Sequence, residues 1–123
     1  MDFDGAVKAH TNWMLRLFGY ARGTSKEKLD PQAIQKDNVC DLGKWLYSDG
    51  RKYATEPEFA ELVKEHAAFH KAAASIVDLV DGGKRSKAEQ LLMAIDSDYR
   101  QRSFQVAGLL KKLQRKHESS SDG

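Results

Sequence analysis

Apolar residues recur every three or four positions along most of the chain, which is the period of one buried face of an amphipathic helix. No segment shows the two-residue alternation that is typical of a half-buried strand. The first such series also carries a histidine, and its members are Phe3, Ala6, Val7, His10, Trp13, Met14, Leu17, Phe18 and Ala21. The sequence therefore predicts an all-α protein.

Two helical segments are predicted in the first half of the chain. The first ends near Gly23, because a glycine commonly follows the last turn of a helix. The second covers residues 31–47, with Asp30 as its N-cap, a proline at its first position and a break near residues 37–38. The Ser-Asp-Gly sequence of residues 48–50 ends it.

Two further helical segments are predicted in the second half. Residues 55–58 (Thr-Glu-Pro-Glu) and 86–89 (Ser-Lys-Ala-Glu) both have the spacing of a capping box, so each is expected to open a helix. The first of these helices ends at the glycines of residues 82–83, and the second runs to about Leu113 with Ile95 facing inward. Four amphipathic segments with short polar links predict an antiparallel four-helix bundle with a short extra helical segment.

Size, charge and cysteine content narrow the class of protein. The 123 residues suffice for one domain with a core, which we place at residues 1–117, followed by a disordered or vector-derived tail at residues 118–123. A net charge of +2 is too small to indicate a nucleic-acid partner. The single cysteine, Cys40, permits no internal disulfide, and the sequence shows no signal peptide and no apolar run of ~20 residues. We therefore expect a cytoplasmic domain that does not itself insert into a membrane, and the sequence leaves open that it is part of a larger, membrane-anchored receptor.

Three of the four histidines fall on apolar helix faces. A lone histidine in such a place is usually a core residue with one hydrogen bond, but three in one bundle favour a shared partner. Each buried polar group that is left without a partner costs about 1–3 kcal/mol. His66 and His70 are one helical turn apart, so their side chains leave the helix together, as two ligands of one ion must. His10 is the third candidate ligand.

The only thiol of the chain, Cys40, is the fourth candidate ligand. Three imidazoles and one thiolate are the ligand types that Zn²⁺ prefers in a tetrahedral site. The spacing alone leaves open that Cys40 is a small buried hydrophobic residue. We expect no enzyme, because Ala67 stands where the zinc-protease motif has its glutamate and four protein ligands leave no position for a water. An oxygen carrier of the hemerythrin type needs more inward histidines than the chain has.

Three motifs together resemble the chemoreceptor zinc-binding domain family. They are His10-x-x-Trp13, Cys40-Asp41-Leu42-Gly43-Lys44-Trp45 and His66-x-x-Phe69-His70. The resemblance implies an α-helical bundle that binds one Zn²⁺ through His10, Cys40, His66 and His70. It also implies attachment to the signalling domain of a bacterial chemoreceptor, or of a diguanylate cyclase, and assembly as a homodimer.

The resemblance points to a sensory role for the zinc site. A thiolate held by zinc is open to strong electrophiles, so we expect Cys40 to be redox-active and to switch the domain in response to oxidants such as hypochlorous acid. A sensor of zinc concentration is one alternative. A structural zinc site in a dimerisation module is another, and the sequence does not separate the three.

Overall fold

The computed structural model describes residues 3–24, 27–36 and 40–118 and consists of helices joined by short links. Its elements are α1 (Phe3–Arg22), α2 (Pro31–Ile34), α3 (Asp41–Leu46), a 3₁₀ helix (Asp49–Tyr53), α4 (Pro57–Asp81), α5 (Arg85–Met93) and α6 (Asp98–Glu118). The described residues contain no strand, so the all-α prediction is confirmed. The predicted break at residues 37–38 lies outside the described residues, as does the tail beyond Glu118.

The ends of the first two helices follow the predicted signals. Gly23 closes α1 with a φ of 76°, a left-handed conformation that glycine adopts without steric cost. At the start of α2, the Asp30 carboxylate accepts a hydrogen bond of 3.0 Å from the backbone N–H of Gln32. Pro31 takes the first helical position, where its missing N–H costs nothing.

Both predicted capping boxes are wrong. Helix α4 has Glu56 at its N-cap rather than Thr55, because Pro57 takes the first helical position and thereby fixes the residue before it as the cap. Glu58 binds the Lys116 ammonium group instead of the helix start. Helix α5 begins at Arg85, so the serine of the second box already lies inside the helix.

The predicted fourth helix is in fact two helices, α5 and α6, and Ser97 explains the interruption. The Ser97 hydroxyl accepts a hydrogen bond of 3.2 Å from the Arg100 N–H, which is the bond of an N-cap, and donates one of 2.7 Å to the Leu91 carbonyl. The interruption also turns Ile95 outward, where 68% of its surface is exposed. The prediction that Ile95 faces the core is therefore wrong.

Contacts between distant residues fix the helix directions. Helices α1 and α6 are antiparallel, since Asp4 accepts a hydrogen bond from Gln114 while His10 meets Ser103. Helix α4 contacts α1, α2, α5 and α6, so it occupies the centre of the fold. The largest fully buried side chains include Leu17, Leu42, Leu46, Leu62, His66, Phe69, His70, Ile76, Val77, Leu92, Leu110 and Leu113. Two histidines thus take part in the core itself.

The backbone of Gly50 lies so close to Trp45 that any larger residue at this position should be destabilising. A Cβ at this position would lie 2.8 Å from the Trp45 carbonyl oxygen and 3.1 Å from the buried Trp45 ring. We expect Gly50→Ala to lower the free energy of unfolding by about 1–3 kcal/mol, as overpacking in a core does. Urea denaturation measures the change.

Gly108→Ala is the matched control for this substitution. Gly108 lies within α6, and a Cβ there would meet no atom within 4 Å. Alanine at this position should stabilise the protein by roughly 1 kcal/mol through helix propensity. Equal stability of Gly50→Ala and the wild type would contradict the close approach.

Candidate metal site

Helix α4 presents two imidazoles to one point in the core. His66 and His70 are one turn apart and both are almost completely buried. Their Nε2 atoms lie 3.0 Å apart. The helical period brings these two side chains together without help from any other element.

Cys40 reaches the same point from the start of α3. Its Sγ lies 3.4 Å from His66 Nε2 and 3.2 Å from His70 Nε2. Cys40 is also the N-cap of α3, because the Gly43 N–H donates a hydrogen bond of 3.2 Å to Sγ. The turn into α3 therefore holds the sulfur against α4.

Helix α2 orients one of the imidazoles. The Nδ1–H of His70 donates a hydrogen bond of 2.8 Å to the Ile34 carbonyl, which leaves Nε2 as the unprotonated nitrogen that faces Cys40. His66 differs, since its Nδ1 is buried and has no hydrogen-bond partner among the residues that the structure describes. One imidazole is thus locked in the tautomer that a metal requires.

Burial sets the charge of these groups. It lowers the pKa of His66 to about 3 and that of His10 to about 4, and the neighbouring imidazoles add to both shifts. Both rings are therefore neutral at pH 7, which is the state in which an imidazole can bind a metal. Burial raises the pKa of the Cys40 thiol, against the hydrogen bond from Gly43. A metal that binds here must displace the thiol proton.

The donor set fits a zinc ion. The donor atoms of Cys40, His66 and His70 all lie within 4.8 Å of one another, and all three residues are buried. Two imidazole nitrogens and a sulfur match the preference of Zn²⁺, whereas magnesium or calcium would require oxygen ligands. The two Nε2 atoms at 3.0 Å from each other would both be available to such an ion once neither carries a proton.

The structure does not bring His10 into this group. His10 is buried in α1, and its ring lies 4.6 Å from the Phe69 ring, next to the site. Its Nε2, however, forms a hydrogen bond of 2.9 Å with Ser103 Oγ on α6. Three of the four predicted ligands are thus together, and His10 as the fourth remains a prediction.

Two residues that matter to the site were missed by the sequence reasoning. Ile34 accepts the hydrogen bond from His70 through its backbone carbonyl, so no pattern of side chains predicts this role. Ser103 is a polar residue on the buried face of α6, between Tyr99 and Val106. A serine on a buried helix face indicates that another polar group forms a hydrogen bond with it.

A cavity of about 540 Å³ lies beside the metal site and is partly open to solvent. Cys40 and His70 line it, and Trp13, Arg16 and Glu27 are among the other residues of its wall. The Arg16 guanidinium stacks on the Trp13 ring at 4.3 Å and forms an ion pair with Glu27. Solvent therefore has a route towards the sulfur.

Residues 10–77, more than half of the chain, match the family model of the chemoreceptor zinc-binding domain. The chain belongs to this family. No curated protein and no solved structure matches the chain at a significant level. The match begins at His10, takes in all four candidate ligands and ends before α5 and α6.

Membership agrees with the geometry of the donor group. Chemoreceptor zinc-binding domains bind zinc, and Cys40, His66 and His70 are positioned to hold it. The family is not a known catalytic one, and its domains occur in chemoreceptors and other signalling proteins. Within the described residues, no helix is long and apolar enough to cross a membrane.

Replacing His70 with alanine tests the zinc site. We expect the wild type, purified without added metal, to contain about one zinc per chain, and His70→Ala to contain much less. Because zinc that binds only the folded state stabilises it, the melting temperature of the wild type should fall on treatment with a chelator. That chelator-dependent fall should be absent in His70→Ala. Elemental analysis and thermal melts give the two readouts.

His117→Ala is the control for His70→Ala. His117 lies near the end of α6, where it pairs with Glu56 and packs on Tyr53, away from the donor group. Its removal should leave the zinc content unchanged. Full zinc content in His70→Ala, or iron in place of zinc in the wild type, would contradict the site.

Proposed function

We propose that this protein is a cytoplasmic sensory domain whose zinc site, formed by His10, Cys40, His66 and His70, acts as a redox switch for hypochlorous acid. The observation that carries the proposal is the position of Cys40. Its sulfur is a member of the metal-binding group, and it also borders a cavity that opens to solvent. A purely structural site has no need of such a route.

The charge of the site favours oxidation at the sulfur. When bound, zinc keeps Cys40 as a thiolate at neutral pH, against the raised pKa that burial gives the free thiol. The zinc ion carries a charge of +2 and its thiolate ligand a charge of −1, whereas the two imidazoles on α4 and the third on α1 are neutral. The formal charge of the occupied site is thus +1. The site therefore attracts small anionic oxidants, and no proton has to leave before the sulfur reacts.

The oxidation itself is a two-electron step at Cys40. The thiolate attacks the chlorine of hypochlorous acid, so that an S–Cl bond forms while the Cl–O bond breaks and hydroxide leaves. Water then displaces chloride from sulfur and releases a proton, which gives the sulfenic acid. Sulfur loses two electrons and chlorine gains them.

A structural change follows from the second role of Cys40 as a helix cap. Sulfenic acid is a poorer ligand than thiolate, and the added oxygen disturbs the bond from the Gly43 N–H. Helix α3 packs on α1, so a displaced α3 shifts the contact between these two helices. This shift is the signal that we propose for the domain.

The wider context belongs to the same proposal. The four helical units are α1, α2 with α3, α4, and α5 with α6, and they form an antiparallel four-helix bundle. Its partner is the signalling domain of a chemoreceptor in the full-length protein, with a diguanylate cyclase as the alternative. A sensor of zinc concentration is the alternative stimulus, and it requires an affinity low enough for the site to empty in the cell.

Oxidation of Cys40 is the decisive test of the redox switch. With less than one equivalent of hypochlorous acid, we expect Cys40 of the zinc-bound protein to be converted first, ahead of Met1, Met14 and Met93. A dimedone-type reagent traps the sulfenic acid and mass spectrometry locates it. Hydrogen peroxide at the same concentration should react much more slowly, because it is the weaker electrophile.

Cys40→Ala is the control for the oxidation experiment. It should remain largely helical and should show no change in circular dichroism at oxidant levels that alter the wild type. Oxidation of the methionines before Cys40 would contradict the redox switch and would favour a structural zinc site.

A homodimer is proposed on the basis of the family and of exposed apolar side chains. Leu15 on α1 and Phe104 on α6 are 65% and 48% exposed, and a symmetric dimer formed through these two helices would bury them. Sedimentation at tens of micromolar should give twice the mass of the chain, and Leu15→Glu with Phe104→Glu should shift it towards the monomer. A monomeric wild type would contradict the proposal.

A further inference from the structure

Ser103 is a buried residue of α6 that lies outside the part of the chain matched by the family. Its hydroxyl donates to Met14 Sδ at 3.3 Å and lies 2.9 Å from His10 Nε2. Whether His10 Nε2 donates to Ser103 Oγ or accepts from it, this nitrogen is engaged by the serine. Both partners of Ser103 lie on α1, so this one residue ties α1 to α6.

The bond to Ser103 is incompatible with zinc binding by the same nitrogen. In this bond Nε2 either carries a proton or shares its lone pair with the serine hydroxyl, so it is not free for a metal. His10 also does not belong to the donor group that Cys40, His66 and His70 form within 4.8 Å. To become a ligand, the His10 side chain has to turn from Ser103 towards α4. The distance to cover is short, because the His10 ring already packs on Phe69, next to His70.

The contact between α6 and α4 has a support of its own that does not involve His10. Arg102, the neighbour of Ser103, forms an ion pair with Glu65, the neighbour of His66. Glu65 is buried, so the pair fixes the register of α6 on α4 at the level of the site. An exchange of partners by His10 therefore changes the contact between α1 and α6 and leaves that between α4 and α6 in place.

We propose that Ser103 competes with zinc for His10: it holds the imidazole away from the site in the zinc-free protein, and zinc binding breaks the bond. Ser103 thereby sets the zinc affinity, and the exchange carries the state of the site to the contact between α1 and α6. The proposal rests on the four-ligand site proposed above. It adds a residue that controls the site and a structural consequence of filling it.

The test compares zinc affinities of the full chain by competition with a chromophoric chelator at pH 7. Ser103→Ala should bind zinc about fivefold more tightly than the wild type, which corresponds to one neutral hydrogen bond lost from the zinc-free state. His10→Ala should bind more weakly than the wild type. In the His10→Ala background, Ser103→Ala should have no effect, because its competitor is gone. Unchanged or weaker binding by Ser103→Ala, or an equal gain in both backgrounds, would overturn the competition.

Ser75→Ala is the matched control. Ser75 is an exposed serine of α4 whose hydroxyl bonds the Lys71 carbonyl of its own helix, so its removal should leave the affinity unchanged. The His10 variant also separates the two proposals. If His10→Ala binds zinc as tightly as the wild type, the four-ligand site itself is wrong. If it binds weakly while Ser103→Ala is unchanged, the competition alone is wrong.

A measurement on the wild type covers the case in which the Ser103 variant does not fold. Imidazole ¹H–¹⁵N correlation spectra report which ring nitrogen carries a proton. The ¹⁵N signal of His10 Nε2 should move to the shift of a metal-bound nitrogen on addition of one equivalent of zinc. An Nε2 signal that stays at its zinc-free position would show that His10 keeps its bond to Ser103, and this would overturn the proposal.

Discussion

The burial of two imidazoles on one face of α4 is the constraint on which the rest of the structure depends. His66 and His70 lie in the core with their Nε2 atoms 3.0 Å apart, and an apolar neighbour cannot satisfy either nitrogen. The short helices α2 and α3 supply the polar partners that these nitrogens need. Helix α2 offers the Ile34 carbonyl to one ring, and α3 begins at Cys40, whose sulfur faces both rings. The interrupted second segment of the chain thus serves the site as well as the core, to which it contributes Leu42 and Leu46.

The site is built from two unequal sides. On the side of α2 and α3, hydrogen bonds to backbone groups fix the sulfur and one imidazole, so these donors are in place before a metal arrives. On the side of α1, His10 is held by a side chain of α6 instead. The preformed set of three donors favours capture of a metal. In the proposed four-ligand site, the second partner of His10 would make retention of the metal adjustable, and in the proposed redox switch a change at Cys40 would act on the contacts of α1.

Much of the fold was predictable because helices are local structures. The period of apolar residues gave α1 and α4, and the Asp30–Pro31 signal gave the start of α2. The failures also have local causes that compete with each other. Pro57 takes the first position of α4, so the capping box that includes it does not form. The hydrogen bonds of Ser97 divide the last predicted helix in two. Where two capping signals lie within a few residues, the stronger local constraint selects one of them, and a list of signals does not say which is stronger.

The sequence by itself determined that His66 and His70 are neighbours, since 3.6 residues per turn put positions four apart on one face wherever the helix packs. It also determined, through residue types and a family resemblance, which metal such a site prefers. Whether Cys40 and His10 reach that face is a property of packing between segments far apart in the chain. The tertiary structure decided that Cys40 does and that His10 is held by Ser103, 93 residues away. No local pattern encodes that bond, because it exists only once α6 has been laid antiparallel to α1.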